Sequence, residues 1–270
     1  MLILSCSVSS GAQPSLSPRS YYADIDDIRM YYEIHGTGEP LLLIHGGIGN
    51  LNFASLDYET LGQHFMVIAP ECRGQGRTTD SDKELHYHLM AQDLILLLDH
   101  LGIEQVSVAG LSDGGNIGLY MAIEHPDRIA KLIAIGSNYA YDGFPPESRN
   151  WVQELTIETF PQEAVTAYRE LAPDPEHAQV FLEKTKHMWL TEPTLTPDDL
   201  GTIRCPTLIM AGDHEIISLN HLVTMFHSIP GSQLYIVPGS THGVSKEKPD
   251  LVNNAIVDFV QNGTHYQEAH

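Results

Sequence analysis

Gly110-Leu111-Ser112-Asp113-Gly114 is the stretch on which the fold of this chain turns. The apolar run Val106-Ser107-Val108-Ala109 precedes it, and residues 115–123 after it read as a helix. Small residues two before and two after a serine, between a strand and a helix, form the pattern of a nucleophile elbow. The serine sits on a turn too tight for bulky neighbours, and its hydroxyl is pushed out at the carboxyl edge of a sheet. The helix N-terminus beside it can stabilise negative charge on an oxygen. With 22 glycines in the chain the pattern also arises by chance, so its context has to decide.

Working outward, short continuous apolar runs recur at 41–44, 65–69, 106–109, 129–135, 207–211 and 234–237. Runs of this type are expected for strands buried on both faces of a parallel sheet. Residues 21–24 and 29–34, around Asp26-Asp27, read as an opening hairpin. Helical segments fall near 53–61, 87–101, 115–124, 219–228 and 249–260. The second has an apolar face of Leu94, Leu97, Leu98 and Leu101, and Gly102 closes it. The alternation predicts an α/β fold, a doubly wound, mostly parallel, eight-stranded sheet built from residues 21–137 and 201–265. Residues 138–200 break it: they contain no convincing strand and fit helices at 147–159, 162–171 and 176–190. A helical insertion there is expected to cap the carboxyl edge, where such folds keep their sites. Helices packed elsewhere on the surface are the alternative.

Composition sets outer bounds. A chain of 270 residues can bury one large α/β core. Fourteen Lys+Arg against 35 Asp+Glu give a formal charge of -21, which argues against nucleic acid and anionic membrane surfaces as partners. Cys6, Cys72 and Cys205 are far apart, and no CxxC, CxxH or HExxH occurs, so no thiolate-rich metal site is expected. No run of about 18 apolar residues is present to span a membrane. Residues 1–20 read as a disordered leader, which leaves a cytoplasmic protein as the first expectation. The apolar start through Leu4-Ser5-Cys6 and the Ser10-Gly11-Ala12 stretch keep open a truncated export signal, periplasmic or lipoprotein.

A serine hydroxyl needs a base to take its proton, and the base needs a carboxylate to orient it. In this architecture the order along the chain is Ser, acid, His. Strand 207–211 runs into Gly212-Asp213-His214-Glu215, and strand 234–237 into Pro238-Gly239-Ser240-Thr241-His242-Gly243. Each delivers a candidate at the same sheet edge as Ser112. Among 15 histidines only His242 combines that place with that order. His45, also at a strand end, is assigned to loop structure.

With these motifs in hand, the chain resembles the α/β-hydrolase family from Tyr21 to Val260. His45-Gly46-Gly47 falls where that family has its oxyanion loop, and Arg73-Gly74-Gln75-Gly76 resembles its RGxG loop. The details are most similar to the carboxylesterase/lactonase branch with a small helical cap. Ser112-Asp113-Gly114-Gly115 resembles the elbow of its valacyclovir-hydrolase-like members. The resemblance implies a serine nucleophile at Ser112 and an oxyanion hole from the N–H groups of Gly47 and Asp113. Asp serves as nucleophile in dehalogenases of this fold, but a register centred on Asp113 puts Leu111 where a small residue is required. The Asp113 side chain is left as structural or as a contact to a polar or cationic substrate group. The family's Gly-any-any-Asp register puts Glu215 in the acid's place, with Asp213 kept as the alternative acid. Glu71 stands where Asp is usual and is read as structural.

The expected enzyme is a serine hydrolase that cleaves a small ester, lactone or thioester through an acyl-enzyme, without metal or organic cofactor. Activity is expected to fall below about pH 6–7 as His242 protonates. Perhydrolase or carbon–carbon hydrolase chemistry on the same parts, and a small-molecule receptor on a hydrolase scaffold, are the alternatives. The partner is a small-molecule substrate, and a homodimer is left open. Trp151, Phe160, Tyr168, Phe181, Met188 and Trp189 are candidates either for an apolar acyl pocket or for packing of the inserted helices.

Overall fold

A computed structural model describes residues 18–52 and 56–263. Eight strands form one sheet: β1 (Arg19–Ile25), β2 (Ile28–His35), β3 (Pro40–Ile44), β4 (Met66–Pro70), β5 (Val106–Leu111), β6 (Ile129–Ile135), β7 (Thr207–His214) and β8 (Gln233–Thr241). Their order is β1-β2-β4-β3-β5-β6-β7-β8. The β1–β2 and β2–β4 pairs are antiparallel, and every other pair is parallel.

Side chains alternate across a strand, and in the central strands β3 to β7 both faces are covered, which is why they read as unbroken apolar runs. Leu42, Ile44, Ile68, Val108 and Leu132 pack into one cluster, with α2 (Tyr87–Leu101) and α3 (Asp113–Glu124). Leu41, Leu43, Val67, Ala109 and Ile133 point the other way, onto α1 (Tyr58–Leu61) and α10 (Pro249–Asn262). Each fully buried leucine-sized side chain contributes roughly 1.5–3 kcal/mol. The sheet is therefore firmly packed, and its carboxyl edge is a well-supported place to present functional groups.

Between β6 and β7 the chain leaves the sheet as α4 (Pro146–Glu154), α5 (Gln162–Leu171), α6 (Ala178–Thr191) and α7 (Pro197–Leu200). The neck of this insert is closed by an Ala140–Thr194 bridge and by Leu195 N–H donating to Tyr139 O at 3.0 Å. Two more helices, α8 (Leu219–Ser228) and α9 (Val244–Glu247), flank the last strands.

Several boundaries differ from the sequence expectation, each for a local reason. Arg19 and Ser20, read as the end of the leader, pair with Ile34 and Glu33 as the start of β1. The rest of the leader, residues 1–17, lies outside the described residues, as does the start of the helix expected at 53–61. What is seen of that helix begins at Tyr58, where the Asp57 side chain accepts from Thr60 N–H. The helix expected through 159 stops at Glu154, because Leu155 is extended and Thr156–Thr159 form their own hydrogen-bonded turn. The third inserted helix starts at Ala178, after a short turn capped by Asp174. Helix α7 was not expected; a reciprocal Thr196–Asp199 capping box nucleates it. Among the described residues no helix is long and apolar enough to cross a membrane.

Candidate active site

Strand β5 runs directly into Ser112, whose φ of 54° and ψ of −119° lie outside the ordinary regions for a residue with a side chain. Such backbone costs on the order of 1–3 kcal/mol and persists only where its surroundings hold it. Ser112 N–H donates to Ile135 O at 2.7 Å, and Ser112 O accepts from Gly115 and Asn116 N–H at 2.9 and 3.1 Å. A Cβ at Gly110 would run into the Gly114 backbone, and one at Gly114 into the carbonyls of Ile44 and His45. The two glycines let β5, β3 and α3 touch main chain to main chain. That contact fixes where the hydroxyl points.

Two neighbouring strands deliver the remaining groups. His242 follows the last residue of β8, and Glu215 follows the last residue of β7. Ser112 Oγ lies 3.0 Å from His242 Nε2, and His242 Nδ1 lies 2.5 Å from Glu215 Oε1. With the proton on Nδ1 donated to Glu215, Nε2 is left to accept from the serine hydroxyl. The Glu215 side chain is fully buried, and its Oε1 also accepts from Ile216 N–H at 2.8 Å. Its Oε2 has no hydrogen-bond partner among the described residues. That oxygen lies against Gly136, where φ is +56° and a Cβ would sit 3.1 Å from both Glu215 Oε2 and His242 Nδ1. The bare Cα there leaves room for a glutamate, one methylene longer than an aspartate.

Asp213, the alternative acid, is placed elsewhere. Its Oδ1 accepts from Ser240 N–H at 3.1 Å, and bonds from the Gly239 and Ser240 backbone hold its carboxyl below the usual range. It steadies the turn that carries His242 instead of touching the imidazole. Glu247, which the sequence did not single out, acts on the same turn. Its carboxylate accepts from Thr241 N–H at 2.8 Å and from Thr241 Oγ1 at 2.6 Å.

The loop after β3 borders Ser112 on another side: a Cβ at Gly46 would come within 3.4 Å of Ser112 Cβ. His45, buried at its base, donates from Nδ1 to Gly46 O at 2.7 Å and accepts Cys72 N–H on Nε2 at 3.0 Å. Burial pulls its pKa down to about 4, so it is neutral, in the tautomer these bonds require. Gln75 Oε1 accepts from Gly49 N–H at 2.9 Å, and Glu71 Oε1 from Leu51 N–H at 3.0 Å. Glu71 is itself held by Arg77, Nη1 to Oε1 at 2.6 Å. The 71–77 loop is thus a splint for the 45–51 loop, consistent with a structural part for Glu71. Next to Gly47, Ile48 has φ of 50°, a region that L-residues enter at a cost of roughly 1–2 kcal/mol.

Asp113 opens α3, where its amide has no partner inside the helix. Its carboxyl is buried beside Gly47 and accepts from Tyr87 Oη at 2.8 Å and from Trp189 Nε1, which lies 2.8 Å from Oδ2. Burial pushes its pKa up, opposed by these two hydrogen bonds. Tyr87 was hidden in the sequence among the apolar positions of α2; its only signal was a phenol at the start of a buried helix. Of the six large side chains proposed for a pocket, Trp189 reaches Asp113, and Phe160 and Tyr168 line a small cavity against Ile48. Phe181 and Met188 are core, and Trp151 is half exposed.

The sheet order, with an elbow after β5 and polar groups after β7 and β8, defines the alpha/beta hydrolase fold, and a family model of that description matches residues 39–162. A protein of Azorhizobium caulinodans named as a carbamate hydrolase is 28% identical over 257 residues, spanning 88% of this chain and 97% of its own. The serine hydrolase BPHL of Mus musculus is 27% identical over 252 residues, 88% of this chain and 84% of that one. Among solved structures, a serine hydrolase involved in carbazole degradation superposes with a TM-score of 0.75. It is 22% identical and covers 91% of this chain and all of its own, a likeness of fold. The chain has the α/β-hydrolase fold, is similar to members of that family along most of its length, and is a hydrolase.

Proposed function

We propose that this hydrolase cleaves small carboxylic esters, lactones or thioesters with Ser112 as nucleophile, His242 as general base and Glu215 as the triad acid. The observation that carries the reading is the continuous relay of 3.0 Å from Ser112 Oγ to His242 Nε2 and 2.5 Å from His242 Nδ1 to Glu215 Oε1. His242 takes the Ser112 proton as Oγ attacks the carbonyl carbon. The amides of Gly47 and Asp113 receive the oxyanion, and losing one such donor typically costs about 10²–10³ in rate. The imidazolium passes its proton to the departing alcohol or thiol, leaving an acyl-Ser112. Water then gives a proton to His242 and attacks the acyl carbon, and Ser112 leaves with the proton restored.

Both carboxyl oxygens of Asp113 are engaged by Tyr87 and Trp189, which favours a positioning part for it over a substrate contact. The insert is read as a cap, since its Trp189 reaches down to the elbow residue itself. A fluorophosphonate probe tests the whole reading. Wild type should be labelled at Ser112, Ser112→Ala should not, and absence of label on both leaves a binding protein on a hydrolase scaffold.

A further inference from the structure

The two amides proposed above to receive the oxyanion sit on separate elements, Gly47 on the loop after β3 and Asp113 at the start of α3. Both have to aim at one oxygen, roughly 2.7–3.1 Å from each. The Asp113 carboxyl touches both residues. It belongs to one of them and abuts the other: a Cβ at Gly47 would sit 2.2 Å from Asp113 Oδ2. The same Cβ would sit 2.6 Å from Trp189 Cζ2, so the insert reaches the Gly47 backbone as well. A residue without a Cβ leaves room for carboxyl and indole together.

That carboxyl is gripped from two sides. Tyr87 Oη donates to Oδ1 at 2.8 Å, and Trp189 Nε1 lies 3.0 Å from Oδ1 and 2.8 Å from Oδ2. The two donors are themselves joined through Glu192, the residue after α6. Its Oε2 accepts from Tyr87 N–H at 3.1 Å, and its Oε1 lies 2.5 Å from His86 Nδ1. A closed circuit results, from Asp113 through Trp189, the last turn of α6, Glu192 and Tyr87 back to Asp113. The carboxyl cannot turn without breaking one of these bonds. We propose that Trp189 is a positioning residue: its N–H, with Tyr87 Oη, holds the Asp113 carboxyl so that the Gly47 and Asp113 amides stay aimed at one point. The proposal rests on the serine-hydrolase reading above. It makes the insert part of the catalytic geometry, since the hole keeps its spacing only while α6 is seated on the elbow. A misplacement of about 1 Å at such a site costs on the order of 10² in rate.

The test uses Trp189→Phe, which keeps an aromatic ring beside Gly47 and loses the N–H. Lys184→Ala, which loosens the insert at its tie to Asp80, is the control. Active sites are counted by end-point labelling with a fluorophosphonate, and the labelling rate, kcat and KM for 4-nitrophenyl acetate are measured per site. Labelling forms a bond from Ser112 Oγ to phosphorus, expels fluoride and hands the serine proton to His242, with the phosphoryl oxygen in the same hole. Trp189→Phe should lower the labelling rate and kcat by about 10–100-fold and leave KM within about threefold. Lys184→Ala should stay within about twofold of wild type in both rates. If Trp189→Phe gives no folded protein, Tyr87→Phe releases the same carboxyl from the core side and should show the same loss at unchanged KM. A labelled wild type whose Trp189→Phe variant reacts at the wild-type rate overturns the proposal. Equal slowing by Lys184→Ala, or a rise in KM with kcat unchanged, does so too. If a labelled wild type turns over no 4-nitrophenyl acetate, the labelling rates decide alone. A wild type that takes no label overturns the serine-hydrolase reading beneath it, a result distinguishable from the others.

Discussion

Between β5 and α3 the chain is positioned by its backbone. Ser112 N–H is tied to Ile135 O, and Gly110 and Gly114 allow neighbouring main chains to touch. Between β6 and β7 the insert is positioned by side chains reaching across long sequence separations. Lys184 Nζ donates to Asp80 Oδ2 at 2.6 Å, Tyr87 N–H to Glu192 Oε2 at 3.1 Å, and Trp189 Nε1 to Asp113. A backbone constraint leaves its mark locally, as glycines at fixed spacing. A constraint made by partners about 75 to 105 residues apart leaves no local mark.

That difference explains what could be read in advance. The central strands and the elbow were legible because apolar runs and small residues answer to a sheet covered on both faces, and β1 and β2 were legible as a hairpin around Asp26-Asp27. Ser112 and His242 were placed by their positions after strands, Glu215 by the register of the resembled family with Asp213 left open, and the structure brings Ser112, His242 and Glu215 together. Glu247 and Tyr87 were missed because their work depends on which residues fold next to them. The insert's helices were seen, but their ends moved where caps and turns at Asp174, Thr156 and Thr196 overrode periodicity.

The largest expected effects lie on the backbone-set side. Ser112→Ala should lower kcat by about 10⁴–10⁶ with the melting temperature unchanged, since it removes the proposed nucleophile and no packing. Glu215→Gln should lower kcat by about 10³–10⁴ through loss of the oriented tautomer, and Asp213→Asn by less than about tenfold. The reverse ranking of those two would make Asp213 the acid and remove Glu215 from the mechanism.

On the side-chain-set side the effect should appear in stability. Asp113→Ala leaves Tyr87 Oη and Trp189 Nε1 without their acceptor, which should cost about 2–4 kcal/mol in urea unfolding. Quenching of Trp189 fluorescence by acrylamide should rise as the insert loosens. Equal destabilisation by Asp113→Asn and Asp113→Ala would show that burial, not the accepted bonds, decides.

Beside each region lies a neutral buried histidine. His45 lies under the loop after β3, and His221 on α8 accepts Tyr139 N–H near the neck of the insert. Burial lowers both to about 4 from 6.5. Below pH 6.5 the unfolded chain takes up protons that the folded chain refuses, so stability falls as pH drops from 6.5 to 4. The loss is on the order of 3 kcal/mol for each histidine over that window. His45→Gln should flatten the stability–pH curve by one histidine's share, and an unaltered slope would mean that His45 is charged in the fold. The smallest effect belongs to Lys184→Ala, about 0.5–1 kcal/mol, because its partner Asp80 keeps His177 at 2.9 Å.

Ser112 and His242 are 130 residues apart in the chain, with the proposed base supplied by the turn after β8. A ribosome needs on the order of ten seconds to cover that distance. On the proposed mechanism, the growing chain carries during that interval a nucleophile with no base to arm it. On that mechanism, a chain stopped before β8 would lack its base and be inert toward esters.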